Sequence, residues 1–414
     1  MADIASDKSG SAKLIFSLPV MVAALGYMVD MYDLFLFSIV RVPSLKAIGV
    51  TGDNLLSDGI FLLNLQMTGL LIGGIFWGII GDKKGRLSVL FGSILIYSLA
   101  NIGNGFVTTL NQYAGLRFIA GFGLAGELGA GITLVAEILP KAIRGYGTTL
   151  VATMGVLGAI LAYIVSYLFE WQLSYFIGGG LGLMLLILRI SVFESGMFEK
   201  LKGKNIKRGN LAMLFGNKVR LIKYLNSILI GLPIWFVVGI LITFSPEFGK
   251  ALGLAEPVDA GKAVMLAFAG QVAGDLLSGF LSQYLKSRKK VILSFIMLSF
   301  CLILVYLLAP IKSVNTFYII CICLGVFNGY WTLFVTVAAE LFGTNLRATV
   351  ATTVPNFVRG AVIPLTSLFI LGKGQLGIIN SALAVGVLAV AISLISLRFL
   401  EETFSKDLDY TEHD

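Results

Sequence analysis

Residues 69–86, GLLIGGIFWGIIGDKKGR, are echoed about 200 positions later by residues 270–290, GQVAGDLLSGFLSQYLKSRKK. Gly69, Gly73 and Gly78 match Gly270, Gly274 and Gly279 at one constant offset. A second echo sets Ala136-Glu137 and Arg144 against Ala339-Glu340 and Arg347, with seven residues from Glu to Arg in both copies. A duplicated apolar chain of this kind implies two similar halves arranged around a central site.

Composition places those halves in a membrane. The chain has 414 residues, of which 57% are hydrophobic and only 13% charged, against about 25% charged in soluble proteins. Apolar runs near 14–40, 59–80, 87–108, 112–138, 146–168, 171–193, 224–246, 261–285, 291–310, 315–339, 353–371 and 376–400 each suffice for a helix of about 20 residues, one bilayer crossing. The expected fold is therefore an all-α membrane protein of twelve transmembrane helices in two pseudo-symmetric six-helix bundles. Its parts are an N-terminal bundle over 1–193, a linker over 194–223, a C-terminal bundle over 224–400 and a tail over 401–414.

The basic residues orient it. With Arg189 counted in the linker after span 6, the termini and the loops after even-numbered spans hold 23 of the 31 Lys and Arg. The opposite loops hold six (Arg41, Lys46, Lys250, Lys262, Lys312, Lys373). By the positive-inside rule both termini are cytoplasmic. This asymmetry accounts for the net charge of +8, so no nucleic-acid partner is expected. Short outward loops and the absence of an N-x-S/T sequon fit a bacterial inner membrane. Span 1 is too long and wrongly flanked for a cleaved signal peptide.

Catalytic chemistry has little to work with. The single histidine, His413, lies in the tail, and Cys301, Cys321 and Cys323 sit in apolar helices, where buried free thiols are expected. No nucleophile–base set, metal cluster or nucleotide loop is present, so neither an enzyme nor a resident cofactor or metal is expected. The 48 glycines suit close helix contacts in lipid. Gly69-x-x-x-Gly73, Gly74-x-x-x-Gly78 and Gly270-x-x-x-Gly274 mark the expected interfaces.

Gly78-x-x-Gly81-Asp82-Lys83-Lys84-Gly85-Arg86 forms the short turn between spans 2 and 3. It resembles the G-x-x-x-D-R/K-x-G-R-R/K cytoplasmic loop of the major facilitator superfamily; only Leu87 departs, and the second copy lacks the Asp. Arg117-Phe-Ile-Ala-Gly121-Phe-Gly123-Leu-Ala-Gly126-Glu127 is similar to the span 4 sequence of that superfamily's metabolite:proton symporters and, more loosely, of its sugar porters and organic-ion transporters. Glu194-Ser195-Gly196, Glu402-Thr403 and Glu340-Leu-Phe-Gly-Thr-Asn-Leu-Arg347 match the branch's E-S-P, E-T and E-L-F-P-T-x-L-R, with Gly196 and Gly343 in place of Pro. The resemblance implies a secondary transporter working by alternating access, with a small-molecule substrate and H⁺ as partners, the proton gradient as energy source, and a monomer in the bilayer. It also implies that Asp82, Arg86, Glu137, Arg144, Glu340 and Arg347 form a conformational gate, with ion pairs between the halves.

Six ionisable residues fall five or more residues from either end of a predicted span: Asp30, Asp33, Arg117, Glu127, Asp275 and Arg359. Each costs about 2.5–3.5 kcal/mol at a helix centre, so each should face a cavity and find a partner. Four acids face two bases, so at least one carboxylate is expected to be neutral part of the time, since burial disfavours its charged form. Asp30 and Asp33 lie beyond the middle of span 1, and Arg117 lies in the outer half of span 4, so an Asp–Arg pair joins these spans. In proton-linked relatives such a pair is the proton switch. Glu127, about 15 Å deeper along span 4, joins the cavity or the relay. Asp275 is expected against span 11. Arg359, the lone charge of span 11, suits an anionic substrate. Tyr27, Gln66, Gln271, Asn328, Tyr330, Trp331 and Asn356 complete the expected substrate site, with Asn226 and Trp235 as further candidates.

The favoured function is proton-coupled symport of a small organic anion, a carboxylate metabolite. Sugar or zwitterion symport is the alternative, but span 7 lacks the paired Gln of sugar porters. Span 5 lacks the G-P-x-x-G-G of drug antiporters, and no long regulatory tail suggests a non-transporting sensor.

Overall fold

A computed structural model of the chain describes residues 14–84, 86–127, 129, 131, 135, 138–139, 144–194 and 215–404. Glu137, the middle of the linker and the last ten residues lie outside it. The side chains of Asp82, Arg86, Arg144 and Arg347 lie outside the described set, although their backbone is helical.

The described elements are helical: α1 (Leu18–Ala47), α2 (Asn54–Lys84), α3 (Arg86–Asn104), α4 (Leu110–Leu124), α5 (Arg144–Leu168), α6 (Trp171–Glu194), α7 (Lys218–Leu229), α8 (Leu232–Phe236) running into a π-turn (Val237–Ile242), α9 (Ser245–Ala251), α10 (Ala260–Tyr284), α11 (Arg288–Leu308), α12 (Val314–Asn328), α13 (Trp331–Glu340), α14 (Thr344–Gly360) and α15 (Val362–Phe399). Among the described residues eight helical stretches are long and apolar enough to cross a membrane. Polar side chains start several of them. Thr109, Asn217, Asp259, Ser287 and Ser313 each accept a hydrogen bond from a backbone N–H in the first turn of α4, α7, α10, α11 and α12, satisfying donors that no helix can satisfy itself.

The solvation pattern is that of a lipid-embedded protein. Large apolar side chains such as Met184, Ile187, Leu276, Phe280 and Phe399 face outward, whereas Arg41, Arg117, Arg189 and Arg359 are among the most completely buried side chains. Cys321 is buried, Cys323 partly so, and Cys301 is exposed on the apolar surface; the expected burial holds for the first alone.

The sequence echo has a packing counterpart. A Cβ at Gly69 or Gly73 on α2 would strike the carbonyls of Phe118 and Phe122 on α4, and one at Gly270 or Gly274 on α10 would strike those of Ile322 and Val326 on α12. In each copy two glycines four residues apart let backbone rest on backbone, as small residues permit in lipid. Gly279 meets only open space, so that copy of the pattern carries no interface.

Among the described residues several predicted spans are not continuous helices. Span 7 breaks after Leu229 and continues as α8 and the π-turn; span 10 breaks between Asn328 and Trp331; span 11 breaks at Ala361. Gly377, with φ of 75°, interrupts the long α15 in a conformation that only glycine adopts cheaply. Irregular backbone at membrane depth persists where protein surrounds it, and the breaks in spans 7, 10 and 11 adjoin residues that line the cavity described next.

Glu402 joins the end of α15 to the start of α11. It accepts hydrogen bonds from Ser287 Oγ, from the backbone N–H groups of Arg288 (3.0 Å) and Lys289 (3.3 Å), and from its own turn at Thr403 and Phe404. Partial burial works against its charge, but the bonds from Ser287, Phe404, Arg288 and Lys289 outweigh this and hold the carboxyl below its ordinary 4.5. A depressed acid stabilises the fold above its ordinary pKa and loses that contribution as pH falls through the depressed value. Glu402→Gln is therefore expected to lower the melting temperature at neutral pH, with the gap to the parent closing below pH 4; thermal melts at both pH values check this.

Candidate functional site

Where α1, α8, α10, α13 and α14 converge they enclose a cavity of about 270 Å³, lined by Tyr27, Met31, Phe35, Ile234, Trp235, Val238, Phe268, Gln271, Trp331 and Arg359. Its walls are mostly aromatic. Trp235 and Trp331 meet edge to face with centroids 6.3 Å apart, and Phe35 lies 4.2 Å from Phe268.

Arg359 supplies the cavity's cation. It sits at the end of α14, in the turn after Pro355, and its guanidinium carbon lies 6.0 Å from the ring centroids of both Trp235 and Trp331. Asp30 on α1 approaches Nη1 to 3.9 Å, an ion pair beyond hydrogen-bond reach, and Nη2 meets Met31 Sδ at 3.7 Å. Among the described residues Nε and Nη1 of Arg359, Nε1 of Trp235 and both carboxylate oxygens of Asp30 have no hydrogen-bond partner. The unpartnered nitrogens are all donors, an arrangement that favours an anion, and a carboxylate fits a guanidinium edge with two hydrogen bonds.

The expected site residues separate into groups. Tyr27, Gln271, Trp331 and Arg359 line the cavity; Asn328, Tyr330, Asn356 and Gln66 do not. Asn328 Nδ2 and Tyr330 OH donate to the carbonyls of Ile234 (3.3 Å) and Ile230 (3.1 Å), tying the break in span 10 to the break in span 7. Asn356 Nδ2 donates to Ala125 O at 3.2 Å and rests in the gap left by Gly74. Gln66 is fully buried beside α4. Asn328, Tyr330 and Asn356 serve broken or crossing backbone, which sequence spacing does not distinguish from ligand contact, whereas both amide atoms of Gln66 lack a hydrogen-bond partner among the described residues. Met31, Phe35 and Phe268 line the cavity as apolar residues with no signal of their own.

The charges pair differently from expectation. Asp30 faces Arg359 rather than Arg117. Asp33 is buried near Arg117, whose guanidinium stacks over Phe37 (4.9 Å) and Tyr175 (5.9 Å) without a hydrogen bond. Glu127 is bonded by both carboxylate oxygens to Arg189 of α6, which also donates to Leu90 O at 3.2 Å. Arg189 had been counted with the linker; it lies inside the membrane region because its long side chain turns inward to a buried acid. Asp275 makes no ion pair with Arg359. Its Oδ1 accepts from Thr332 N at 3.0 Å, capping α13 where span 10 resumes. Glu340 pairs with Arg288 at 2.7 Å, within the second half rather than between the halves.

Arg41, assigned to an outward loop, is also buried. It grips Glu247 of α9 with Nη1–Oε1 at 2.7 Å and Nη2–Oε2 at 2.8 Å, donates to Leu55 O at 3.0 Å and stacks 4.6 Å over Phe244. Nearby Thr243 Oγ1 donates to Ser38 Oγ at 3.1 Å. These contacts join α1 to the segment after the π-turn, on the side where α1 leads into α2.

The profile of the Major Facilitator Superfamily matches residues 14–367. This chain belongs to that superfamily. A probable 4-methylmuconolactone transporter of Cupriavidus pinatubonensis is 26% identical over 399 residues, covering 91% of this chain and 89% of that one. The niacin transporter NiaP of Acinetobacter baylyi is 32% identical over 162 residues, 38% of this chain; the match spans 36% of that relative's length. The proton:xylose symporter XylE bound to 6-bromo-6-deoxy-D-glucose superposes with a TM-score of 0.73 at 17% identity, over 96% of this chain and 98% of that one. That likeness is one of fold. The chain is an integral membrane protein and not an enzyme.

Proposed function

We propose that this superfamily member is a proton-coupled symporter of a small organic anion. In this reading the chain crosses a bacterial inner membrane twelve times, as six-helix halves over 1–193 and 224–400, with both termini cytoplasmic and no second copy required. The observation that carries the proposal is the pair of unpartnered nitrogens of Arg359, Nε and Nη1, beside Trp235 and Trp331, with Asp30 only 3.9 Å away. An arriving carboxylate displaces the weak Met31 Sδ contact, takes Nη2 together with Nε or Nη1 of Arg359, and stacks its carbon frame on the tryptophans. Asp30 then loses its countercharge while desolvated, so it holds a proton. Anion and proton are thereby loaded together, and the neutralised cavity crosses the alternating-access step with less buried charge. The wall suits a flat ring bearing one carboxylate, in keeping with the small ring compounds named for the two relatives. Asp33 and Arg117 are a second acid and base close together in the same half, and Asp82, Arg86, Glu137, Arg144, Glu340 and Arg347 gate the cytoplasmic face.

The test is uptake into proteoliposomes from a panel of aromatic carboxylates, aliphatic carboxylates and neutral sugars, with and without an inward proton gradient. The expected result is carboxylate accumulation that rises with the gradient and collapses with a protonophore. Sugar accumulation under the same gradient, or carboxylate uptake indifferent to it, overturns the proposal.

A further inference from the structure

The first half carries a seam of buried polar atoms away from the substrate cavity. Both oxygens of Asp33, the hydroxyls of Tyr97 and Ser98, both amide atoms of Asn101 and of Asn104, and all three guanidinium nitrogens of Arg117 are buried without a hydrogen bond of normal geometry among the described residues. One such atom costs about 1–3 kcal/mol, so scattered defects on this scale would not persist. They are not scattered. Tyr97, Asn101 and Asn104 stand at i, i+4 and i+7 and form one stripe along α3. The amide of Asn101 lies beside Asp33, Arg117 acts on the same carboxylate, and Tyr97 lies within electrostatic reach of both Asp33 and Glu127.

Glycines on α6 let Asp33 and Ser98 pack directly against that helix. A Cβ at Gly178 would strike Asp33 Oδ1, and one at Gly182 would strike Ser98 Oγ. Beyond Arg117 the seam runs into hydroxyls already in contact: Tyr175 and Tyr113 at 2.6 Å, then Tyr113 and Ser44 at 3.1 Å, near the end of α1.

We propose that this seam binds a row of waters and delivers protons to Asp33 along α3, by a route separate from the substrate cavity. Buried water of this kind is a structural component with about three hydrogen bonds each, and the atoms named supply both donors and acceptors. Each water or hydroxyl in the row accepts one proton and passes one on, so none changes its net charge; the proton enters from bulk water and rests on a carboxylate oxygen of Asp33. Arg117 and Asp30 are the charges facing that carboxylate, and Glu127, held by Arg189, closes the row at its far end. Asn101 and Asn104 act as positioning residues for the waters. The inference rests on the proton-coupled reading above.

Two measurements test it. The first is radiolytic hydroxyl labelling, which reports water beside a side chain whatever its exposure. Tyr97 is expected to label several-fold faster than Tyr306, which is equally buried but donates its hydroxyl to Leu241 O. Equal slow labelling overturns the hydrated seam. The second compares Asn101→Leu, Asn101→Ser and Tyr97→Phe in proteoliposomes. Gradient-driven accumulation is expected to fall several-fold in Asn101→Leu and to recover in Asn101→Ser, while substrate exchange at equal pH persists. Unchanged accumulation, or parallel loss of exchange, overturns the proton route; if Asn101→Leu does not fold, Tyr97→Phe, which removes one hydroxyl, decides by the same comparison. A parent protein that shows no gradient effect refutes the symport reading instead, and the labelling result then still decides whether the seam is wet.

Discussion

Replacing Arg359 with lysine is expected to weaken carboxylate binding about 10–100-fold, since one charged hydrogen bond is lost at about 1.5–3 kcal/mol and each 1.4 kcal/mol is tenfold. The substitution keeps the positive charge and most of the length, and so separates geometry from charge. A guanidinium presents a planar fork between the two tryptophan faces; an ammonium presents one compact charge and binds the anion through a single contact. Asp30, at 3.9 Å, keeps a counterion in either case, so folding should survive. The measurement is substrate affinity in detergent by calorimetry, with ligand-induced melting shifts as a second readout. Affinity within twofold of the parent would show that the anion binds elsewhere, and Arg359→Met with intact affinity would remove it from the site altogether.

The signals that made Arg359 legible are those that membranes impose. A charge in the middle of an apolar run is costly enough to require an explanation, which is why Asp30, Asp33, Arg117, Glu127, Asp275 and Arg359 stood out before any geometry existed. Their partners were not legible, because pairing depends on which helix faces lie opposite one another. Asp275 shows the difference. Its place in the repeat directed it toward span 11, but nothing in the sequence showed that span 10 breaks at Gly329–Tyr330, where the N–H of Thr332 donates to its carboxylate. Arg41 and Arg189 lie near the ends of apolar runs, where counting rules treat them as loop charge; their flexible stems carry the guanidinium to a buried acid instead. The glycine echo, in contrast, was legible as packing, since Gly69, Gly73, Gly270 and Gly274 each abut a carbonyl on a neighbouring helix. The aromatic wall was the least legible part, because Phe35 and Phe268 have the same composition signal as any lipid-facing phenylalanine.

Arg189 offers the largest expected effect on stability. Both members of its pair with Glu127 are buried, and Gly26 on α1 leaves the room they occupy. Arg189→Met strands a carboxylate in the protein interior, and breaking a buried pair on one side costs about 3–5 kcal/mol. Arg189→Met combined with Glu127→Leu removes both charges and is expected to regain most of that loss, since an apolar pair of similar volume is often as stable as the ion pair it replaces. Melting temperatures of the two variants and the parent form the test; a double variant no more stable than Arg189→Met would mean that the pair contributes through its bond to Leu90 O and through packing rather than through charge. The same double variant addresses transport. Glu127 stands at the inner end of the seam that runs past Tyr97 to Asp33, so restored stability with accumulation still lost places the carboxylate in proton delivery. Restored stability with restored accumulation confines the pair to holding α4 against α6.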